Sequence, residues 1–431
     1  MKYVLKALYT LVYTLAFPII LLRFLWRNIT DKTGRRKAGP RRRFLERLGF
    51  SPRPSNPGGI VFHMVSVGEA LGAINLVKDF QRKNPEVPIT ITCTTQQGSK
   101  IIQERLGDSV NHCYLPYDLP IFLLWFIRRI QPTTLVILET ELWPNLMGVC
   151  FANQVRTILI NARLSEKSYN GYTKLRPLVE TMLQQLTHLC SQSPADAERF
   201  KKLGLPETKL SITGNLKFDI EVDETITRTG DQLKQERFAN RSLWIAASTH
   251  PGEDEIVLQS HKILRETHAD LLLIIAPRHI DRAENIRKLS ESLALPCSVH
   301  SKTSAIKNEC AVYLVDTMGE LMKFYASADI CLVGGSLVQH GGHNPIEPGV
   351  LHKPIIAGPY NHNFQTIYDQ LTQCDGVIFT KDSQALTETV HGLLEDPQRC
   401  RELADNAFQY VNAHRGATLR SVERIEQVYR A

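Results

Sequence analysis

The chain has 431 residues, of which 43% are hydrophobic and 22% are charged, and its formal net charge is +7. This length exceeds one ordinary core, so we expect two domains of about 150 to 200 residues each. Residues 1–50 carry a balance of +10 and the remainder a balance of −3, so the charge of the main body excludes a nucleic-acid-binding protein.

An apolar segment opens the chain. Residues 7–22 contain no charge, and ten cations follow from Arg23 to Arg47. The pattern predicts a membrane anchor. The apolar run is shorter than the ~20 residues of a straight span and Pro18 is expected to interrupt the helix, so a short signal-anchor and an in-plane helix are both open. With no small-residue cleavage site and cations downstream, we expect a retained anchor and a cytoplasmic body. The alternative is a buried helix followed by a solvated basic linker.

The segment Ser51–Gly59 is rich in Pro, Ser and Gly, which is typical of a linker. After it, short apolar runs alternate with amphipathic stretches, a pattern that predicts a parallel sheet covered on both faces. The predicted strands are 60–67, 89–94, 134–138 and 156–160 in a first series, and 244–248, 271–276, 311–315, 330–333, 354–357 and 376–380 in a second.

Two series of strands predict two doubly wound α/β domains. In open sheets of this kind, ligands bind beyond the carboxyl ends of the strands, so we expect one cleft between the domains. The expected divisions are an anchor and basic segment at 1–50, a first domain at 58–218, a polar hinge at 219–242, a second domain at 243–396 and a helical segment at 397–431 that could fold back on the first domain.

Nine cysteines are scattered singly, without a Cys-x-x-Cys pair. An odd number in this arrangement argues against a disulfide framework and a zinc–cysteine site, and it favours a reducing compartment. We interpret these cysteines as small core residues.

Acidic and basic residues stand at the ends of several strands of the first series. Glu69 follows the first strand, where it is either a general base or a first-turn glutamate stabilised by the helix dipole. Glu139 and Glu141 follow the run 134–138, and Arg163 and Lys217 stand at two more strand ends. Each residue alone has an ordinary structural explanation, but together they indicate a catalytic or binding site.

The second series contains a glycine loop, 334–348, directly after an apolar strand. Its glycines allow backbone N–H groups to approach an anion, and the helix that follows would point its positive end at the same place. The loop is therefore either a phosphate site or a plain tight turn. In the first case Glu347 would accept hydrogen bonds from ribose hydroxyls.

Two further strand ends belong to this region. Arg278 follows the second strand of the series and could bind phosphate or stack on a base, and Asp316–Glu320 forms a third strand-end loop. A metal site built on His340, His343 and His362 is not expected, because the chain has no Asp-x-Asp pair and the histidine spacing matches no common site.

Six motifs, in this order, resemble the 3-deoxy-D-manno-octulosonic acid (Kdo) transferases of lipopolysaccharide synthesis over essentially the whole chain. The motifs are Val65–Glu69, Glu139–Asn145, Gly214–Asp219, Ala276–His279, Met318–Leu321 and Gly341–Pro348. The resemblance implies a GT-B glycosyltransferase fold, with two Rossmann-like domains behind a membrane-anchor segment at the bacterial inner membrane. It implies that the N-terminal domain binds the acceptor and the C-terminal domain the nucleotide sugar.

The same resemblance implies a donor, CMP-Kdo, and an acceptor, the acylated disaccharide precursor of lipid A (lipid IVA). Glu69 would be the general base, with Glu139 and Lys217 stabilising the transition state, and no metal or other cofactor is expected. The residues implied in CMP binding are Pro277, Arg278, Met318, Gly319, Glu320, Asn344, Pro345, Ile346 and Glu347.

Two other functions remain open from the residues. One is a GT-B transferase that uses a UDP-sugar, which competition by UDP rather than CMP would reveal. The other is a membrane-docked nucleotide-binding or scaffold protein, which would leave the acids and the lysine at the strand ends unexplained.

Overall fold

The computed structural model describes residues 2–30, 40–65, 67–302 and 306–431. Four of the predicted basic residues, Lys32, Arg35, Arg36 and Lys37, lie outside the described residues. The chain divides into two compact units: Met1–Asp219 with Arg415–Ala431, and Ile220–His414.

The strands of the first unit are β1 (Ile60–Met64), β2 (Ile89–Cys93), β3 (Asn111–Tyr114), β4 (Thr134–Leu138), β5 (Arg156–Ala162), β6 (His188–Ser191) and β7 (Leu210–Ile212). Those of the second unit are β8 (Leu243–Thr249), β9 (Leu272–Pro277), β10 (Cys297–Val299), β11 (Val312–Leu314), β12 (Ile330–Val333), β13 (Ile355–Ala357) and β14 (Ile378–Phe379).

The α-helices are α1 (Lys2–Thr30), α2 (Pro40–Glu46), α3 (Val67–Lys83), α4 (Gln96–Leu106), α5 (Pro120–Ile130), α6 (Pro144–Ala152), α7 (Glu166–Thr173), α8 (Arg176–Gln185), α9 (Pro194–Lys202), α10 (Glu224–Gln232), α11 (Glu253–Thr267), α12 (Ala283–Ser292), α13 (Leu321–Ser327), α14 (Ile346–Val350), α15 (Gln365–Gln373), α16 (Ser383–Glu395), α17 (Pro397–Ala413) and α18 (Ala417–Arg430).

The first sheet has seven parallel strands in the order β3-β2-β1-β4-β5-β6-β7. Strands β1, β2 and β4 are buried at every position. Their sequences are mainly apolar or β-branched, which is typical of strands covered on both faces. The sequence missed β3, β6 and β7 because these strands are short and carry polar residues.

The second sheet is also parallel, in the order β10-β11-β9-β8-β12-β13-β14. The strand order reverses at β8, between β9 and β12, as it does at β1 in the first sheet. The prediction of two doubly wound α/β domains is therefore confirmed.

The boundaries of the compact units differ from the expected divisions. Glu224–Gln232 forms α10, which packs against α13, so the polar stretch expected to form a hinge belongs to the second unit. Helix α17 also belongs to the second unit, whereas α18 packs against α3 in the first. Asp219 holds the start of α18 on the first unit. Its carboxylate accepts hydrogen bonds from the N–H groups of Gly416, at 2.6 Å, and Thr418.

Helix α1 is continuous, and Pro18 lies inside it. The expected interruption is therefore wrong, because the one backbone hydrogen bond that a proline removes does not end a helix that contacts the protein along one face. Among the described residues, the segment Val4–Arg23 is long and apolar enough to cross a membrane by length and composition.

All nine cysteines are free, and six of them are buried. The prediction that they are unpaired core residues holds for these six. The other three, Cys297, Cys374 and Cys400, are half-buried.

Candidate active site

The first unit places two acidic residues where its strand order reverses. Strands β1 and β4 are neighbours; Glu69 lies in the first turn of α3, after β1, and Glu139 directly follows β4. At a point where the strand order reverses, the helices that follow the two neighbouring strands lie on opposite faces of the sheet. This arrangement leaves a crevice at the carboxyl ends of the strands. Both residues therefore lie where open α/β sheets bind ligands.

Glu69 is buried, with 9% of its surface exposed. Its Oε2 accepts a hydrogen bond of 2.7 Å from the backbone N–H of Val65, at the end of β1. This bond joins the first turn of the helix to the strand end and fixes the orientation of the carboxylate. A carboxylate in this position can stabilise the first turn of the helix and can also contact a ligand. The geometry is therefore compatible with both interpretations of Glu69, as a general base and as a first-turn glutamate stabilised by the helix dipole.

Glu139 has an unusual backbone conformation. Its φ of 56° lies in the left-handed region, which costs a non-glycine residue about 1 to 3 kcal/mol, and its N–H donates to the carbonyl of Ile160 at 2.9 Å. Burial raises the pKa of the Glu139 carboxyl; Lys217 opposes this shift, Glu69 adds to it and Arg163 opposes it. Glu139 is thus held among charged groups at some cost in backbone energy.

Lys217 is positioned by two asparagines. It lies in the 3-10 turn Leu216–Phe218, where Asn161 accepts from the N–H of Leu216 at 3.1 Å and Asn215 accepts from the N–H of Lys217 at 3.0 Å. Asn161 has a φ of 56°, a conformation that asparagine tolerates better than most residues. No local pattern selects Asn161, although an asparagine near the end of a buried strand is a weak signal of this conformation.

The cluster contains a third acid, Glu141. Burial raises the pKa of its carboxyl; the bond from Trp143 Nε1, at 2.9 Å, opposes the shift, and the neighbouring charges of Glu69 and Glu139 add to it. The structure therefore brings together the predicted residues Glu69, Glu139, Glu141, Arg163 and Lys217 as one group of electrostatic neighbours.

In the second unit, the glycine loop that follows β12 is closed by the protein's own carboxylate. Glu253, fully buried at the start of α11, accepts hydrogen bonds of 2.7 to 3.0 Å from the N–H groups of Gly335, Ser336 and Leu337, and one of 2.8 Å from that of His250. These N–H groups form an anion site, which was one of the two alternatives for the loop, but Glu253 fills it. The expectation that this part of the loop meets a ligand phosphate is corrected accordingly.

The far end of the loop holds Asn344 and Glu347. Asn344 accepts from the N–H of Ile346 at 3.2 Å, and its amide donates to Glu347 Oε1 at 3.4 Å. Burial raises the pKa of the Glu347 carboxyl, while Asn344 and then Arg278 oppose the shift. Pro345 and Ile346 are buried at the start of the short helix α14.

Arg278 follows Pro277, the last residue of β9, and its N–H donates to the carbonyl of Thr249 at 3.1 Å. Its side chain is exposed, yet its charge acts on both Glu347 and His343. Two sequence-predicted residues, Arg278 and Glu347, are therefore electrostatic neighbours in the second unit.

The third predicted loop contains Met318, Gly319 and Glu320. Met318 is 64% exposed, and Gly319 has a φ of 86°. Burial would raise the pKa of Glu320, but hydrogen bonds from Lys323 and Thr317, with the neighbouring charges, hold this pKa at about 2. The Glu320 carboxylate is thus already paired with Thr317 of its own loop, with Lys323 of α13 and with His300, whose Nε2 lies 3.2 Å from Oε2.

Comparison with known proteins identifies the family. Residues 42–220 match the family described as 3-deoxy-D-manno-octulosonic-acid transferase (kdotransferase). The chain is 38% identical, over 387 residues, to the 3-deoxy-D-manno-octulosonic acid transferase of Haemophilus influenzae, and the match covers 89% of this chain and 90% of that protein. The chain belongs to the Kdo transferase family. The resemblance based on six motifs is confirmed, and the protein is a glycosyltransferase.

Two solved structures are similar to this Kdo transferase. The UDP-GlcNAc 2-epimerase of Neisseria meningitidis is 15% identical, with a TM-score of 0.58, and the match covers 85% of this chain and 99% of the epimerase. This likeness concerns the fold alone, and it supports the expected GT-B class, which is confirmed. The C-terminal CMP-Kdo binding domain of WaaA from Acinetobacter baumannii is 32% identical, with a TM-score of 0.42, and the match covers 43% of this chain and 98% of that domain.

Proposed function

We propose that this Kdo transferase moves Kdo from CMP-Kdo to the lipid A precursor lipid IVA, with inversion and without a metal ion. The observation that carries the proposal is the cluster of Glu69, Glu139 and Lys217 at the point where the strand order of the first sheet reverses. Family membership supplies the sugar, and the cluster supplies acid–base and electrostatic groups in the arrangement that the reaction needs.

Glu69 is the general base in this proposal. It takes the proton of an acceptor sugar hydroxyl while that oxygen forms a bond to the anomeric carbon of Kdo. The bond from the anomeric carbon to the CMP phosphate breaks, and the phosphate oxygen keeps the electron pair. Attack from the face opposite to CMP inverts the anomeric carbon. The bond from Val65 limits the rotation of the carboxylate, which suits a base that must meet one hydroxyl.

Glu139 and Lys217 stabilise the charges that develop. The departing phosphate and the carboxylate of Kdo are both anionic, and the Lys217 ammonium offsets such charge without a divalent ion. Glu139 is the negative neighbour of Lys217 and can also stabilise the cationic character of the sugar carbon. The backbone strain at Glu139 fits a functional role, because strained residues persist where the surrounding structure fixes them.

The second unit supplies the CMP contacts in this proposal. Arg278 binds the phosphate, and Glu347, oriented by Asn344, accepts hydrogen bonds from the ribose hydroxyls. The proposed set is completed by Pro277, Met318, Gly319, Glu320, Pro345 and Ile346.

Helix α1 is the proposed membrane contact. One face is bonded to the first unit: Tyr9 Oη donates to Asp118 at 2.9 Å, Thr10 Oγ1 donates to Asn145 Oδ1 at 2.8 Å, and the ring of Phe17 lies 5.5 Å from that of Tyr117. The other face is an exposed apolar stripe, formed by Val4, Leu8, Leu11, Val12, Leu15, Ile19, Leu22 and Trp26, each between 53% and 69% exposed.

The stripe repeats at helical spacing along one side, which is the pattern of a helix lying in the plane of a bilayer surface. A helix bonded to the protein body from Tyr9 to Phe17 is not free to cross the bilayer alone. We therefore favour the in-plane anchor over the spanning one, on the cytoplasmic side of the bacterial inner membrane. There the cations after Arg23 meet anionic lipid headgroups, and the acylated acceptor lies at the same surface.

A product assay tests the proposed reaction. The purified protein is incubated with CMP-Kdo generated in situ and with lipid IVA, and the product is weighed by mass spectrometry, which also counts the Kdo residues added. We expect a product, inhibition by CMP and little inhibition by UDP. No product, or stronger inhibition by UDP, would contradict the proposed donor and acceptor.

The role of Glu69 has its own test. Glu69→Gln keeps the size of the side chain and removes the base, so turnover should fall by about 100-fold or more, while CMP affinity and the unfolding midpoint remain within error. Glu166→Gln, which changes an exposed glutamate of the same unit, is the matched control. If the turnover of Glu69→Gln were close to that of the control, the assignment of Glu69 as the general base would be wrong.

A further inference from the structure

Three histidines meet where the strand order of the second sheet reverses. His250 follows β8, and His340 and His343 lie in the glycine loop after the neighbouring strand β12. One ligand nitrogen from each ring lies within 4.8 Å of the others. Closeness in sequence groups His340 and His343 with His362, and it does not place His250 with them because His250 and His340 are 90 positions apart.

The rings are close and nearly parallel. Nε2 of His250 and Nε2 of His343 are 2.9 Å apart and share a hydrogen bond. The ring of His340, which is exposed, stacks on that of His250 with 3.5 Å between their centroids. His250 and His343 are fixed, whereas an exposed histidine can rotate its ring to turn a nitrogen toward the other two.

Gly335 leaves the space for this arrangement. A Cβ at Gly335 would lie 2.8 Å from Cδ2 of His343 and 3.5 Å from Cδ2 of His250, and the φ of Gly335 is 69°. A side chain here would both strain the backbone and displace His343. Glu253 holds the same segment of the loop, since its carboxylate bonds the N–H groups of Gly335 and His250.

Imidazole binds a metal ion through the lone pair of a ring nitrogen. The hydrogen bond between the two Nε2 atoms means that one of the two rings, His250 or His343, already presents such a lone pair to the other.

We propose that His250, His340 and His343 form a binding site for a divalent transition-metal ion of the zinc class. Zn²⁺ prefers imidazole nitrogen, and three protein ligands leave one position of a tetrahedral site for water or an anionic oxygen. On binding, the proton shared between His250 and His343 moves to Nδ1 of the ring that carries it, so both Nε2 lone pairs reach the metal. This site lies beyond the proposed transferase chemistry, which needs no metal.

The described residues contain a second candidate group, His268, His391 and Glu395, which lies at the surface. His268 Nε2 and His391 Nδ1 are 2.9 Å apart there. A binding experiment must separate the two groups, so every measurement is made on protein that also carries His391→Ala.

Equilibrium dialysis with Zn²⁺ tests the proposal directly. The His391→Ala protein should bind one Zn²⁺ that is lost, or weakened at least tenfold, in the further variants His343→Ala and His340→Ala. His362→Ala, which removes a neighbouring histidine outside the group, should leave the affinity unchanged. Co²⁺ in place of Zn²⁺ should give the visible absorption of a nitrogen-ligated ion, and the same two variants should abolish it.

Two outcomes would overturn the proposal: Zn²⁺ affinity equal in His340→Ala and His362→Ala, or no Zn²⁺ bound by the His391→Ala protein. If His343→Ala does not fold, judged by circular dichroism, His340→Ala decides alone, because His340 is exposed. The dialysis uses no donor or acceptor, so its result is independent of whether the proposed transfer reaction is observed.

Discussion

The apolar stripe of α1 gives a quantitative prediction for membrane binding. Leu11 and Leu15 are 55% and 69% exposed in its centre. Replacing a leucine by alanine removes three carbons, worth about 2.4 kcal/mol when fully buried, at ~0.8 kcal/mol per methylene. We scale this value by the exposed fraction of each leucine, which is the part that lipid could cover. The double variant Leu11→Ala/Leu15→Ala should then lose about 3 kcal/mol of membrane-binding free energy, which corresponds to about 100-fold weaker partitioning into vesicles.

The assay is sedimentation with vesicles that contain an anionic phospholipid, with the bound fraction measured against lipid concentration. Leu419→Ala is the matched control, since Leu419 is 52% exposed but lies on α18, away from the stripe. Its partitioning should change less than twofold. Equal binding of the double variant and the control would refute the argument that the stripe faces lipid.

The orientation of α1 needs a separate measurement. A helix in the plane of the bilayer surface is released from membranes by alkaline carbonate, whereas a spanning helix remains. We therefore expect the full-length protein to appear in the carbonate supernatant. Retention in the pellet, with lipid binding still lost in Leu11→Ala/Leu15→Ala, would indicate that the helix spans the bilayer after separating from the first unit.

Three further predictions concern donor binding and stability. Arg278→Ala and Glu347→Ala should each weaken CMP binding about tenfold or more in calorimetry, and unchanged affinity in both would place the donor elsewhere. Asp219→Asn should lower the free energy of unfolding by about 1 to 3 kcal/mol, because the carboxylate bonds the first turn of α18; an unchanged urea midpoint would contradict this. The low pKa of Glu320, about 2, lies below its unfolded value of about 4.3. The stability it provides should therefore be complete at pH 7 and decline as the pH falls through 4 toward 2, so the urea midpoints of wild type and Glu320→Gln should converge at low pH.

Local sequence patterns predicted the fold where strands are buried on both faces. The runs that became β1, β2, β4 and β5 are mainly apolar or β-branched, because each strand is covered above and below the sheet. Edge strands such as β7 and β10 bury less of their surface, so their pattern is weaker and they were not predicted, whereas the edge strand β14 was predicted from the run 376–380.

The candidate site divides in the same way. Residues placed by one strand end, such as Glu69 and Glu139, could be selected from the sequence because the strand before each is easy to recognise. Interactions between segments that are distant in the chain could not be predicted from local sequence patterns. The glycine loop was open to two interpretations, a phosphate site or a plain tight turn, because nothing local shows that the carboxylate of Glu253, about 80 positions earlier, accepts hydrogen bonds from its N–H groups.

Glu253 also changes what the loop can do. A loop whose N–H groups are bonded to an internal carboxylate does not offer them to phosphate; instead, the carboxylate fixes the position of the residues that the loop carries. Those residues include His343, Asn344 and Glu347, whose side chains lie beside Arg278 and His250. The loop therefore acts through its side chains: it contributes Asn344, Pro345, Ile346 and Glu347 to the proposed nucleotide contacts, and His340 and His343 to the proposed metal ligands.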